Sequence, residues 1–223
     1  MKNPWVVIGI IAIALFGGAI WFSGSAAEQN NEGVVVAPHI KGNPEAVVEL
    51  VEYSDFQCPA CAAFQPILTT VLEEYGDELR FEYRHFPLLN IHPHAQAAAV
   101  AAEAAGQQGK FFEFHDLLFE NQTEWAAAAV RTSFFLQYAE ALDLDIEMFR
   151  RHLNASVLQE TVRTGFTEAR ALELTGTPSF LLNGQKMTFD SYESFVAQIA
   201  TAIDPSVGSS TPAAAEGDVR FGI

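Results

Sequence analysis

The sequence predicts an α/β fold, a small sheet covered by helices and interrupted by a helical insertion. Three observations predict it. Residues 46–86 follow a strand–helix–strand pattern, residues 94–174 are almost wholly helical in pattern, and residues 179–203 run as a hairpin and then a helix. A strand–helix–strand half joined to a hairpin–helix half is one of the stable layered solutions for burying a sheet face.

The elements justify themselves in order. Val34-Val35-Val36 is expected as a short first strand, and Lys41-Gly42-Asn43-Pro44 as a turn cluster. Residues 46–53, AVVELVEY, are β-rich with an apolar run suited to a central strand. After a short loop at 54–57, residues 59–75 space Phe64, Ile67, Leu68, Val71, Leu72 and Tyr75 as a helix does, and Gly76 stands where a helix stop is expected. Residues 79–86, LRFEYRHF, alternate as a second strand. The block that follows is rich in Ala, Glu, Leu and Phe, with few turn signals, until Thr177-Pro178 breaks it. Residues 179–182 and 187–189 flank Asn183-Gly184, a strong hairpin signal, and residues 192–203 read as a closing helix.

Outside this core lie two segments of different character. Residues 5–22, WVVIGIIAIALFGGAIWF, are uncharged and apolar throughout. At ~1.5 Å per residue such a stretch spans roughly the hydrocarbon core of a bilayer. Trp5, Trp21 and Phe22 sit at its ends as interfacial aromatics would, and a buried core helix is disfavoured because no polar face exists. Lys2 precedes the stretch and no basic residue follows until Lys41, so positive-inside bias places the body of the chain outside the cytoplasm. The alternative is a cleaved signal peptide ending at the small residues Ser25-Ala26-Ala27. The expected organisation is therefore a cytoplasmic start (1–4), an anchor or signal segment (5–22), a linker (23–33), a first α/β part (34–91), the helical insertion (92–175), a second α/β part (176–203) and a Gly/Ser/Ala/Pro-rich disordered tail (204–223).

Composition excludes some functions. A hydrophobic content of 49% in 223 residues supports a well-cored domain, not a disordered chain. A net charge of −16 argues against nucleic-acid binding, which needs clustered Lys and Arg. Two cysteines only, three residues apart, are too few and too close for a disulfide scaffold.

That pair carries the chemistry. Cys58 follows a strand and opens a helix, with Pro59 at the first helical position, where its missing N–H costs nothing. The helix N-terminus, through the backbone around Pro59 and Ala60, favours a thiolate on Cys58. Cys61 lies one turn further in, shielded, within disulfide reach. The arrangement predicts an exposed attacking sulfur and a buried resolving one, with the Cys58–Cys61 disulfide itself as the redox group and no cofactor or metal. Two other readings compete. A Cys-x-x-Cys is also half of a zinc site, for which His85, His92 and His94 are available, and it is also compatible with an inert disulfide. Glu52 lies six residues before Cys58. Strand alternation either puts its carboxylate beneath the cysteines, as a proton relay to Cys61, or faces it outward, and the pattern does not choose. Asp55 reads as a loop residue, His92 and His94 as residues at a helix start, and His115 as a packed histidine amid Phe111, Phe112 and Phe114. Thr177-Pro178 is a candidate cis bond whose isomer the sequence leaves open.

Taken together, the motifs resemble the DsbA-like thioredoxin family, in particular its membrane-anchored or secreted bacterial members. The resemblance covers roughly residues 40–203. It runs from Gly42-Asn43-Pro44 through the strand into Cys58-Pro59-Ala60-Cys61, resumes at His92-Pro93-His94-Ala95 and at residues 108–119 (QGKFFEFHDLLF), and ends with Gly176-Thr177-Pro178-Ser179-Phe180 and Asn183-Gly184. It implies a thioredoxin-like fold with an inserted helical domain. Cys58 would be the nucleophile and Cys61 the resolving thiol, with Glu52 a buried acid–base group and Thr177-Pro178 a cis-proline loop lending backbone to substrate by strand addition. It further implies client proteins bearing thiols or disulfides, and a membrane partner that recycles the pair. One departure stands out. Strong oxidases of this family often carry Cys-Pro-His-Cys, and Ala60 supplies neither the charge nor the hydrogen bond of that histidine. A disulfide-forming oxidase is the leading expectation, a reductase (for instance in cytochrome maturation) the first alternative, and a tethered metal-binding module the second.

Overall fold

A computed structural model describes residues 28–206. The anchor and most of the tail proposed from sequence lie outside these residues. Five strands form one sheet: β1 (His39–Gly42), β2 (Val48–Ser54), β3 (Leu79–His85), β4 (Ser179–Leu182) and β5 (Gln185–Lys186), in the order β1-β3-β2-β4-β5. β2 and β3 are parallel and the other pairs antiparallel. Helix α1 (Pro59–Tyr75) connects β2 to β3. Between β3 and β4 the chain inserts six helices: α2 (Ala95–Gly106), α3 (Phe111–Glu120), α4 (Gln122–Ala127), α5 (Thr132–Ala141), α6 (Ile146–His152) and α7 (Ser156–Ala171). Helix α8 (Tyr192–Ile203) closes the fold, its start fixed by a reciprocal Ser191–Ser194 capping box. None of the described helices is long and apolar enough to cross a membrane.

Alternation along β2 sorts its side chains between two cores. Val48 and Leu50 join the larger core with Cys61, Phe64, Leu68 and Val71 of α1. Val51 and Tyr53 face a smaller core with Phe86, Ala169, Leu174 and Leu181. Glu52 shares the face of Val48 and Leu50, pairs with Tyr83 and Phe180 in the neighbouring strands, and is fully buried. The structure thereby rejects its outward-facing alternative.

Two sequence expectations are corrected. Val34-Val35-Val36 forms no strand. The backbone N–H of Val35 donates to the side-chain oxygen of Gln107 at 2.7 Å, and the Gln107 amide donates back to the Val35 carbonyl at 3.0 Å. A side-chain amide thus takes both groups a ladder would need. The strand instead covers His39–Gly42 and uses half of the expected turn cluster. Gly42 ends it at φ +76°, where an added Cβ would stand 2.3 Å from the Leu79 carbonyl oxygen. The hairpin return is likewise Gln185–Lys186, not 187–189, with the Met187 N–H adding one more bond to the Phe180 carbonyl. Gly76 does end α1, but in the right-handed region (φ −60°), so no left-handed cap is formed.

Candidate active site

Cys58 caps α1 with extended backbone (φ −76°, ψ 120°), and Pro59 takes the first turn as expected. Both cysteines are free thiols. Cys61 is fully buried, and Cys58 is only 7% exposed. The expectation of an exposed attacker is therefore corrected to an attacker that reaches the surface at its edge. The 176–178 segment lies over it: the Cys58 Sγ sits 3.4 Å from the Thr177 carbonyl oxygen, to which a thiol donates. Thr177-Pro178 is cis. Pro59 and Ala60 are exposed on the rim.

The two sulfurs are held in different protonation states by their surroundings. Cys58 is pulled down from 9.0 to about 5, chiefly by the hydrogen bond from the Cys61 thiol. Burial opposes this, while the Thr177 hydroxyl and the N–H groups of Cys61 and Ala60 reinforce it. The Thr177 hydroxyl is buried and has no partner in hydrogen-bonding geometry among the described residues. Cys61 is pushed well above its ordinary value, first by burial, then by its bond to Cys58 and by the charges of Cys58 and Glu52.

Beneath the pair, burial raises Glu52 from 4.5 to about 7, partly offset by the Ser54 hydroxyl and the Gln65 amide. Among the described residues, none of the Glu52 oxygens, Ser54 Oγ, Gln65 Nε2 or Tyr83 Oη sits in bonding geometry with a partner. These groups are therefore neighbours of Glu52 through space, and the carboxyl remains free to hold or release its proton.

The loop carrying Cys58 is fixed by residues that sequence reasoning missed or undervalued. Gln122 of α4 donates through Nε2 to the carbonyls of Phe56 at 2.8 Å and Cys58 at 2.9 Å. Asp55 is buried. Its Oδ1 accepts from the Gln57 N–H at 2.7 Å, and its Oδ2 accepts from the Leu88 N–H and meets His92 Nδ1, each at 2.8 Å. The Gln57 side chain in turn accepts from the His94 N–H. His94 precedes α2 without a side-chain cap bond. His115 is a buried packed histidine, as expected. A cleft of about 910 Å³ lies between the 86–91 segment and α7 and takes in neither cysteine nor the 177–178 bond.

A nucleophile-ready sulfur at a helix start, a buried partner sulfur one turn in and a titratable carboxyl beneath them define a class: the thiol–disulfide oxidoreductases of thioredoxin fold with a DsbA-like helical insertion. The sequence profile of the thioredoxin family matches residues 35–201, and the chain belongs to that family. Among solved structures it is similar to a thioredoxin-like oxidoreductase from Silicibacter pomeroyi DSS-3, at 25% identity over 82% of this chain and 98% of that one, with a TM-score of 0.61. Oxidised BdbD from Bacillus subtilis shares the fold at 19% identity, covering 80% and 95% of the two chains, with a TM-score of 0.65. A curated relative, the Na(+)/H(+) antiporter NhaA 3 of Salinispora tropica, is 42% identical over 148 residues, which are 66% of this chain and 22% of that protein. The chain thus spans about a fifth of the length of the first curated relatives it matches.

Proposed function

We propose that this protein is an extracytoplasmic, membrane-tethered oxidase that introduces disulfides into client proteins through Cys58 and Cys61. The observation that carries the direction is the unequal pair. A thiolate held at about 5 stabilises the reduced form of the pair and makes Cys58 a good leaving group, which is how a dithiol centre becomes oxidising. A client thiolate attacks Cys58 Sγ of the disulfide, the Cys58–Cys61 bond breaks, and Cys61 leaves with the electron pair. Glu52, protonated for about half the time near neutrality, supplies the proton that Cys61 takes up. A second client thiolate attacks the client sulfur of the mixed disulfide and Cys58 departs as thiolate. The client dithiol is oxidised by two electrons and the protein pair reduced. A membrane redox partner returns the pair to the disulfide. Thr177-Pro178, lying over Cys58, is the segment that would offer backbone to an extended client. The apolar residues 5–22 support the tether.

The zinc reading finds its imidazoles engaged away from the sulfurs: His85 on Glu103, His92 on Asp55, and His94 beside Arg131. The antiporter name belongs to the relatives that carry it, of which this chain spans about a fifth.

The test has two parts. Cys61→Ser should accumulate mixed disulfides with extracytoplasmic proteins through Cys58, and their absence would overturn the client reading. The equilibrium potential of the wild-type pair against glutathione sets the direction: a value close to about −120 mV supports an oxidase, and one close to about −270 mV replaces it with a reductase.

A further inference from the structure

Away from the cysteines, three elements distant in sequence bring nitrogen and oxygen donors to one point. His39 comes from β1, His85 from the end of β3, and Glu103 from α2. The Nε2 atoms of both imidazoles lie 2.8 Å from the same oxygen, Glu103 Oε1. One ligand atom from each residue falls within 4.8 Å of the others. The rings are held by packing. His39 lies flat on Phe111, with centroids 3.3 Å apart and planes within 5°. His85 stands edge-on to Tyr83 at 5.3 Å and to Phe111 at 5.9 Å. His85 and Glu103 are buried, and the His39 side chain is 15% exposed. All three line one cleft of about 400 Å³, which provides an entry path from the surface.

We propose that His39, His85 and Glu103 form a binding site for a divalent cation of the zinc class, with the remaining coordination position facing that cleft. Two imidazoles and one carboxylate are the donor set for a borderline ion, whereas calcium and magnesium take oxygen ligands. Coordination requires each imidazole to present Nε2 unprotonated, with its proton on Nδ1, so the ion replaces the two N–H···O contacts now made to Glu103. At metal–ligand distances of about 2.0–2.2 Å tetrahedral donors stand roughly 3.3–3.6 Å apart, so each imidazole would draw back from Glu103 Oε1 by more than about half an ångström. The bound ion would fasten the edge strand β1 and the strand β3 to the first helix of the insertion. The site is independent of the redox reading, because neither sulfur takes part.

The test uses the full chain, stripped with chelator and with Cys58–Cys61 oxidised, so that no thiol is available to zinc. Equilibrium dialysis should find one Zn²⁺ per chain, undisplaced by excess Ca²⁺ or Mg²⁺. Co²⁺ should give the visible absorption of a low-coordinate nitrogen/oxygen site. His39→Gln, at the sheet edge, should weaken Zn²⁺ binding at least tenfold while the metal-free variant keeps the wild-type far-ultraviolet circular dichroism; Glu103→Gln should weaken it similarly. Absence of zinc from the oxidised chain, binding that appears only on reduction, or affinity unchanged in both variants would each overturn the proposal. The cobalt spectrum of the wild type decides it even where a variant fails to fold.

Discussion

The unequal acidity of the two sulfurs is open to direct titration. Cys58 should ionise near pH 5 in the reduced protein, followed through thiolate absorbance or the pH dependence of alkylation. At pH 7 that leaves ~99% of Cys58 as thiolate, against ~1% for a sulfur at the ordinary 9.0. The largest downward influence is the Cys61 thiol, so the decisive perturbation is Cys61→Ala. A hydrogen bond to a charged group is worth about 1.5–3 kcal/mol. At ~1.4 kcal/mol per pH unit, its loss should raise the Cys58 midpoint by about 1–2 units. Cys61→Ser, which keeps a donor, should stay nearer the wild type. The helix terminus and Thr177 remain in both variants, so neither should return to 9.0. A wild-type midpoint near 9, or a midpoint unmoved in Cys61→Ala, would refute the account of how this pair is made unequal.

Three further outcomes are expected. Glu52 is raised in the folded state, so between pH 4.5 and about 7 the native protein holds a proton the unfolded chain has lost, and stability falls as pH rises through that window. The climb amounts to about 3 kcal/mol, so in denaturant titrations Glu52→Gln should remove that loss above pH 7 and change little below pH 4.5. Gln122→Ala leaves the Phe56 and Cys58 carbonyls without their side-chain donor and should cost about 1–3 kcal/mol by chemical denaturation, with a measurable change in Cys58 alkylation rate. Gly165→Ala should destabilise by about 1–3 kcal/mol in the same assay, because a Cβ there would lie 2.5 Å from the His85 carbonyl oxygen and α7 must move off β3.

Much of the frame could be read from local pattern. The apolar spacing of α1 and the β-rich run of β2 are written in adjacent residues, and the α8 bounds agree with those expected from sequence. Local pattern failed where a distant side chain decided the outcome. Nothing near Val35 announces that Gln107, 72 residues on, will occupy its backbone. Glu52 stood undecided because β2, buried on both faces as a central strand, has no outer side against which to read alternation. The two cysteines were legible because their chemistry depends on a helix start that the strand, the loop and Pro59 define within a few residues. Their supports were not: Gln122 reaches the loop across 64 residues, and Asp55 meets His92 across 37.

The Gln122 contact carries a consequence for how the molecule can be regulated or damaged. The shape of the redox loop is set partly by a helix that belongs to the insertion, so the two lobes are not separable in function. Proteolytic nicking or local melting around α4 would reach the sulfurs without touching them, and the reactivity of Cys58 becomes a readout of whether the insertion is folded.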